Sequence, residues 1–202
     1  MPVSKRSTRL ALSRERILRA AMRLADTEGL ANLTMRRLAD DLGVRAVSIY
    51  RHVPDKAALM TGLVEMMLSE IRHPGSAGDW KSDMRVVMQS FRAAFRSHPE
   101  IAEVSHLYTS AEVLYPHYEQ DLQSLVDGGF SLPEAKLAFG ALRSFTAGFA
   151  RGAAERSLSP PSAEVFPITA AAGVGGERAD QTVFEYGLDC LIAGIELRRQ
   201  GG

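Results

Sequence analysis

The sequence predicts an all-α protein with a small N-terminal helical domain and a larger C-terminal one. Apolar residues recur every three or four positions along most of the chain, the period of a helix buried on one face. No segment alternates apolar and polar residues as a half-buried strand does. A Pro, Gly and Ser-rich break at residues 74–78 places the first domain over residues 13–73 and the second over 79–202.

The charge distribution favours a polyanionic partner such as DNA. The 202-residue chain is 46% hydrophobic and 24% charged, with a formal net charge of zero. Residues 1–60 hold twelve Lys or Arg against six Asp or Glu, a net charge of +6, and the remainder carries −6. A chance distribution of solvated charges is the alternative. Residues 1–12 are polar and basic and are predicted as a flexible arm.

Several classes of protein are disfavoured by what the sequence contains. No apolar run reaches membrane-spanning length, and the basic N-terminus lacks the apolar core of a signal peptide. The single cysteine, Cys190, cannot form an intrachain disulfide and suits a reducing cytoplasm. We therefore expect a cytoplasmic protein with no membrane partner.

An enzyme is the least favoured class of function. The sequence has no P-loop, no zinc-ligand spacing and no nucleophile motif, so we expect no cofactor and no metal. Four histidines also lack carboxylate or cysteine partners at a recognisable spacing: His73, His98, His106 and His117.

The N-terminal helices follow from apolar spacing and capping residues. The first helix is expected to begin after Ser13 and to end at Gly29. Thr34 and Asp55 are expected to cap the second and fourth helices with their side-chain oxygens. Gly43 separates the second and third helices, where a tight turn needs a positive φ.

Helix, glycine turn and helix over residues 34–56 is the arrangement that places its second helix in the major groove of DNA. The second helix offers hydrogen-bond donors, most of which a small core does not need. They are Arg45, Ser48, Tyr50, Arg51 and His52. DNA is therefore the first candidate partner.

The C-terminal domain is predicted as five helical segments, over residues 79–98, 101–108, 112–127, 132 to about 156, and about 180–199. Glycine inside a helix costs about 1 kcal/mol relative to alanine. Three glycines in the long fourth segment, Gly140, Gly148 and Gly152, therefore indicate a close approach by another helix or a ligand. Residues 157–179, rich in Pro, Ser, Ala and Gly, are predicted as a mobile loop.

Several stretches of the chain carry a family resemblance. They read LTMRRLA at residues 33–39, LGV at 42–44, SIYRHV at 48–53, GFSL at 129–132 and FTAGF at 145–149. The first three resemble the TetR/AcrR family of one-component transcription regulators, and the last two resemble its tetracycline-repressor branch. The resemblance covers most of the chain. It implies a homodimeric repressor with a small-molecule pocket in its C-terminal helices.

The resemblance also implies a set of DNA-facing residues. We expect Arg45, Ser48 and Arg51 to approach base edges, since arginine pairs bidentately with guanine, and Val47 to contact a thymine methyl. Others of the set are expected to bond phosphates. The expected DNA-binding residues are Thr34, Arg36, Arg45, Ala46, Val47, Ser48, Tyr50, Arg51, His52 and Lys56.

The drug site of the tetracycline-repressor branch is matched only in part. His106 and Phe91 stand at matching positions, but Val87 stands where the branch has an asparagine. Gly152 stands near the position of its acidic magnesium partner, with Glu155 only in the vicinity. Because Mg²⁺ prefers oxygen ligands, a lone histidine is a poor site. We therefore predict neither a magnesium–tetracycline chelate nor any other metal, and His106 could equally be a hydrogen-bonded structural histidine.

A mostly apolar pocket for a small apolar or amphipathic effector is expected instead. Its predicted lining, each member of which could equally be plain core, is Met84, Met88, Phe91, His106, Tyr108, Tyr115, Phe139, Arg143 and Phe145. Arg143 is the charge in the middle of a long, nearly uncharged helix. It could meet an acidic ligand, pair with a glutamate across a dimer or point to solvent.

The long fourth segment and the last helix are expected to pair two chains as an intermolecular four-helix bundle. The predicted interface residues are Phe149, Val183, Phe184, Gly187, Leu188, Leu191 and Ile195. A two-fold dimer would set its recognition helices roughly 34 Å apart, one turn of DNA. The sequence thus predicts a repressor that binds a pseudo-palindromic operator as a homodimer and is released by a small-molecule effector. The alternative is a helical DNA-binding protein without an effector.

Overall fold

The computed structural model describes residues 11–75, 79–151, 161–173 and 177–201. This part of the chain contains ten α-helices, one turn of 3₁₀ helix at Leu30–Asn32 and no β-strand, which confirms the predicted all-α class. The helices are α1 (Arg14–Glu28), α2 (Met35–Leu42), α3 (Ala46–Tyr50), α4 (Lys56–Ser69), α5 (Trp80–Ser97), α6 (Pro99–Tyr108), α7 (Ala111–Asp127), α8 (Leu132–Arg151), α9 (Pro167–Ala171) and α10 (Glu177–Gln200). Most of the predicted basic arm, residues 1–10, lies outside the described residues.

Side-chain caps fix where the N-terminal helices begin. The side chains of Ser13, Thr34 and Asp55 each accept a hydrogen bond from the backbone N–H three residues later, at 3.2, 3.0 and 2.7 Å. Gly43 ends α2 with a φ of 64°, a conformation that an L side chain rarely adopts. The predicted starts of α1, α2 and α4 and the turn before α3 are therefore confirmed.

One small core holds the first four helices together. α1 packs against α2 and α4, and α2 packs against α3. Ile17, Leu38, Ile49 and Leu63 come from the four helices in turn and are fully buried. Because Ile49 anchors α3 from one side, the opposite side of this short helix is left to solvent.

The buried residues of the C-terminal helices continue the same core and gather around α8. This helix packs against α5, α7 and α10. Trp80 at the start of α5 meets Phe130 edge to face, with ring centroids 4.9 Å apart. The helix α6 packs against both α4 and α1, so it joins the two sets of helices.

One difference from the predicted boundaries lies in the described residues 161–173. The expected end of the long helix near residue 156 and the parts of the predicted loop at 157–160 and 174–176 lie outside the described residues. Within the remainder of that loop, α9 forms at Pro167–Ala171, with a proline in its first turn. Among the described helices, none combines the length and the apolar composition needed to cross a membrane.

The glycines of α8 do not produce a close approach within the chain. A Cβ atom added at Gly140 or Gly148 would meet nothing within 4 Å, and Gly152 lies outside the described residues. The close approach occurs instead at Gly187 of α10, where an added Cβ would lie 2.5 Å from Cζ of Phe145. The side of α8 that carries Gly140 and Gly148 therefore faces open space in a single chain.

Candidate functional site

The ten predicted DNA-binding residues lie at three neighbouring places in the structure: the start of α2, the segment 45–52 around α3, and the start of α4. All ten are exposed or half-buried. Val47 and Tyr50 are exposed large side chains on α3, opposite the buried Ile49. Thr34 differs from the others, because its hydroxyl already accepts the capping hydrogen bond of α2.

Eight cations of the N-terminal domain form two groups of four. Among the described residues, no carboxylate lies within 4.0 Å of the side-chain nitrogens of Arg36, Arg45, Arg51 or Lys56. Four other arginines are held by acidic partners, in the pairs Arg14–Glu65, Arg19–Glu15, Arg23–Asp41 and Arg37–Glu28. The unpaired cations are all among the residues predicted to meet DNA, and phosphate groups would complete their electrostatic environment.

A cavity of about 340 Å³ lies between α4, α5, α6, α7 and α8. Nine apolar and eight polar residues line it, and most of the surface that they expose to the cavity is apolar, as in many small-molecule sites. The apolar members are Leu68, Ile71, Val87, Met88, Phe91, Phe95, Leu114, Phe139 and Ala147, and the polar members are His73, Ser105, His106, Thr109, His117, Tyr118, Asp121 and Arg143.

Three polar side chains form a hydrogen-bonded array in the cavity wall. Nδ1 of His73 lies 2.8 Å from Oδ1 of Asp121, and its Nε2 lies 2.8 Å from Nδ1 of His117. The carboxylate can only accept, so Nδ1 of His73 donates to it. Burial lowers the pKa of His117, and the neighbouring His73 lowers it further. His117 is therefore neutral at neutral pH.

Arg143 enters the cavity from α8. Its Cζ atom lies 4.9 Å from the centroid of the Tyr118 ring, within the range of a cation–π contact. Burial raises the pKa of the Tyr118 hydroxyl, against the lowering effect of the Arg143 charge, so this ring stays neutral. No carboxylate of the described residues lies within 4.0 Å of the Arg143 guanidinium.

The structure brings five of the nine predicted pocket residues to this cavity: Met88, Phe91, His106, Phe139 and Arg143. Met84 is instead fully buried in the core, and Tyr108 is half-buried beside it. Tyr115 is 66% exposed, because the side of α7 that faces the cavity carries Leu114, His117, Tyr118 and Asp121 instead. Phe145 stacks on Phe184, 5.6 Å between centroids, on the side of α8 that meets α10.

Sequence reasoning did not find the His73–Asp121–His117 array, and it left the histidines without carboxylate partners. His73 and Asp121 are 48 residues apart, so only the fold joins them. A weaker signal was available in the spacing of His117 and Asp121, which puts both on one face of α7.

The predicted dimer residues require a correction at α10. Phe184 and Leu188 are 0% and 1% exposed, because this stripe of α10 packs on α8 of the same chain. These two side chains are not available to a second chain. Gly187 lies against Phe145, Phe149 packs beside Phe184, and Leu191 and Ile195 are half-buried.

A second, outward stripe of α10 is exposed. With the open side of α8 it forms an apolar surface, which we call the α8–α10 face. It consists of Leu137, Gly140, Ala141 and Gly148 on α8 and Val183, Tyr186, Cys190, Gly194 and Leu197 on α10. Part of it is a groove of about 550 Å³ between the two helices. Of the predicted interface residues, Val183 belongs to this face, and Leu191 and Ile195 line its groove.

His98 connects the two sets of helices. Its Nδ1 lies 2.9 Å from both carboxylate oxygens of Asp26 on α1, and its Nε2 lies 3.1 Å from Oε1 of Glu70 at the end of α4. Burial opposes the charged form, but the hydrogen bonds to the two carboxylates outweigh it and raise the pKa of His98. Nearby, Glu100 of α6 accepts a hydrogen bond from the backbone N–H of Leu30.

Comparison with known protein families identifies the family to which the chain belongs. Residues 17–63 match the family described as bacterial regulatory proteins, tetR family. Residues 74–199, more than half of the chain, match the tetracyclin repressor-like C-terminal domain. The chain belongs to the tetR family. It is therefore a transcriptional regulator and not an enzyme, as predicted.

Relatives of this TetR-family regulator are similar over nearly their whole length. The class C tetracycline repressor protein of Escherichia coli is 32% identical over 204 residues, which cover 93% of this chain and 92% of that protein. ActR of Streptomyces coelicolor in complex with (S)-DNPA is 25% identical with a TM-score of 0.70, covering 93% and 99% of the two chains. A TetR variant from Acinetobacter baumannii AYE in complex with minocycline is 28% identical with a TM-score of 0.69, covering 94% and 99%.

The charged contact at His98 predicts a pH-dependent stability of this TetR-family regulator. The folded-state pKa is raised above the ordinary value of 6.5. The stabilisation is therefore complete below about pH 6.5 and is lost as the pH rises through the folded-state pKa. We expect the stability advantage of the wild type over His98→Gln to shrink as the pH rises from about 6.5 through the folded-state pKa. Urea unfolding of both proteins across this range measures it, and a constant difference would contradict the prediction.

Proposed function

We propose that the protein is a repressor that binds a pseudo-palindromic operator in double-stranded DNA as a homodimer and is released by a small-molecule effector. The observation that supports this proposal most directly is the charge and exposure of the surface around α3. There, four cations without acidic partners among the described residues surround an exposed helix whose other side is anchored by Ile49. We place this regulator in the cytoplasm, with residues 13–73 as its DNA-binding domain and 79–202 as its ligand-binding and dimerisation domain.

In this proposal α3 lies in the major groove. Arg45 caps α3 without a side-chain hydrogen bond to the helix, so its guanidinium is free to pair with a guanine edge. Ser48 and Arg51 approach neighbouring bases, and Val47 contacts a thymine methyl. Lys56 and the N-terminal turn of α4 meet a phosphate, since helix N-termini attract anions.

The cavity is the proposed effector site. The related ActR and TetR structures contain (S)-DNPA and minocycline, respectively. In this chain, a lining of nine apolar and eight polar residues with a mostly apolar surface suits a small apolar or amphipathic molecule. In the part of the chain that the structure describes, no group of three or more His, Cys, Asp or Glu side chains could hold a metal ion. Val87 at the asparagine position also argues against a magnesium–tetracycline effector.

The helix α4 connects the two proposed sites. It begins at Lys56 in the DNA-facing surface, and Leu68 in its last turn lines the cavity. Fourteen residues of α-helix rise about 21 Å, so α4 spans the distance between them. An effector that displaces the end of α4 changes the position of the DNA-facing segments. A coupling of about 1–3 kcal/mol would weaken operator binding 5- to 150-fold.

Two substitutions in the DNA-facing surface test the proposal. Arg45→Ala is expected to cost about 1–3 kcal/mol of specific binding and to relax one operator position. Lys56→Ala is expected to weaken binding evenly across sequences and to reduce the slope of log affinity against log salt by about 1. The measurement is selection of an operator from random DNA, followed by titration at several salt concentrations.

The matched control for the loss of a positive charge is Arg85→Ala. Arg85 pairs with Asp189 of α10, on the body of the protein. Operator affinity should stay within about a factor of two of the wild type for this variant. If Arg45→Ala and Lys56→Ala bind the operator as the wild type does, α3 is not the recognition helix.

A further inference from the structure

Arg143 is a cavity residue whose positive charge no carboxylate of the described residues compensates. It is half-buried in the wall, rests on the Tyr118 ring and has no carboxylate within 4.0 Å among the described residues. Taking a cation partly out of water is unfavourable unless an anion or a hydrogen-bond acceptor compensates it. A cation–π contact compensates it only in part.

The position of Arg143 on α8 shows whether a second chain or a ligand could supply the missing anion. Phe139, Arg143 and Ala147 follow one another at four-residue spacing, and all three line the cavity. The exposed stripe of α8, which carries Leu137, Ala141 and Gly148, is on another side of the helix. A second chain seated on that stripe would not meet Arg143, so the missing partner belongs in the cavity.

The array of Asp121, His73 and His117 provides the complementary group. Nδ1 of His73 is held by Asp121, and Nε2 of His73 shares a hydrogen bond with Nδ1 of His117. This leaves Nε2 of His117, which has no partner among the described residues. A ligand hydroxyl matches this nitrogen, because a hydroxyl can both donate and accept a hydrogen bond. The carboxylate of Asp121 already accepts a hydrogen bond from His73.

From this geometry we propose that the effector is an amphipathic anion with an aromatic or otherwise apolar body, an acidic group that pairs with Arg143, and a hydroxyl that forms a hydrogen bond with Nε2 of His117. The inference rests on the proposed function, since it names the chemical class of the effector that the cavity takes. The acid supplies the charge that Arg143 lacks, and the apolar body fills the space between Met88, Phe91 and Phe139.

The charge requirement is tested with 2-naphthoate and 2-naphthol, which share an aromatic body. The first is an anion at neutral pH and the second is neutral. Calorimetry on the full-length protein without DNA measures the affinity for each compound. We expect 2-naphthoate to bind the wild type at least tenfold more tightly than 2-naphthol, and Arg143→Met to remove this difference. Arg143→Lys keeps the charge and should retain part of the preference.

Lys136→Met is the matched control, because Lys136 is an exposed cation on the same helix outside the cavity lining. It should bind both compounds as the wild type does. Equal affinity of the wild type for the two compounds, no binding of 2-naphthoate at millimolar concentration, or an equal loss in Lys136→Met would overturn the proposal.

The hydrogen bond to His117 is tested with the isomeric hydroxynaphthoates, which place a hydroxyl at each ring position. We expect at least one isomer to bind about threefold or more tightly than its parent naphthoate, and His117→Phe to remove this advantage while the response to Arg143→Met persists. If no isomer gains affinity, the role of His117 is wrong.

Operator release is measured separately, by adding the tightest naphthoate to the protein–operator complex. Naphthoate binding that depends on Arg143 supports the proposed ligand class, whether or not the operator is released. A protein that binds the naphthoate through Arg143 and never binds an operator would refute the proposed function and leave the ligand class standing. Operator binding with no anion preference would refute the ligand class alone.

Discussion

Leu137→Glu is expected to make the regulator monomeric and to weaken operator binding by about 10²- to 10⁴-fold. Leu137 is 73% exposed on the α8–α10 face, where it lies beside the groove formed with α10. In a two-fold dimer the substitution occurs twice, so it places two carboxylates in an apolar interface without partners. A monomer contacts one half-site only and loses the effective concentration that the second half-site provides. Sedimentation and operator titration measure the two effects.

Leu107→Glu is the control for this substitution. Leu107 is 65% exposed on α6 and lies outside both the cavity lining and the α8–α10 face. The same chemical change there should leave the protein dimeric and its operator affinity within about a factor of two. If Leu137→Glu remains a dimer at micromolar concentration, the α8–α10 face is not the interface.

The helices of the N-terminal domain could be predicted closely because their boundaries depend on local chemistry. Ser13, Thr34 and Asp55 each satisfy a backbone N–H three residues away, and Gly43 adopts the positive φ that its turn requires. Such signals act within one helical turn, so they can be read directly from the sequence.

The sequence could not show which of the two apolar stripes of α10 packs within its own chain and which faces outward. Phe184 and Leu188 face α8 of the same chain, whereas Val183 and Leu197 face outward. The 3.6-residue period shows that a helix has an apolar side, but it does not show which chain covers that side. The sequence prediction therefore placed the inward Phe184 and Leu188 in the dimer interface together with the outward Val183.

The polar part of the cavity depends on contacts between distant segments. His73 follows α4, whereas His117 and Asp121 lie on α7, and Arg143 reaches the cavity from α8. No local spacing links these groups. The sequence could therefore mark Arg143 as unusual but could not say whether it faces a ligand, a second chain or solvent.

Phe184→Ala is expected to lower the free energy of unfolding by about 3–5 kcal/mol, a large fraction of the stability of a typical domain. Phe184 is fully buried, with its ring centroid 5.6 Å from that of Phe145 and 5.4 Å from that of Phe149. The Cζ atom of Arg92 lies 4.7 Å from the same ring. Removing the ring leaves a cavity and also exposes one side of this cation–π contact.

Phe166→Ala is the matched control, because Phe166 is 56% exposed immediately before α9. This variant should lose less than about 1 kcal/mol. Denaturant unfolding at one fixed protein concentration measures both variants, since the stability of a dimer depends on concentration. A loss for Phe184→Ala no larger than that for Phe166→Ala would contradict the placement of Phe184 in the core.

The same variant separates the two stripes of α10. Because Phe184 lies in the core of its own chain, Phe184→Ala should destabilise the fold while the folded protein still dimerises. Leu197→Glu, on the outward stripe, should instead weaken dimerisation with little change in the fold of each chain. A large shift of the dimer–monomer equilibrium in folded Phe184→Ala would show that Phe184 belongs to the interface. It would contradict the assignment of the interface to the outward stripe.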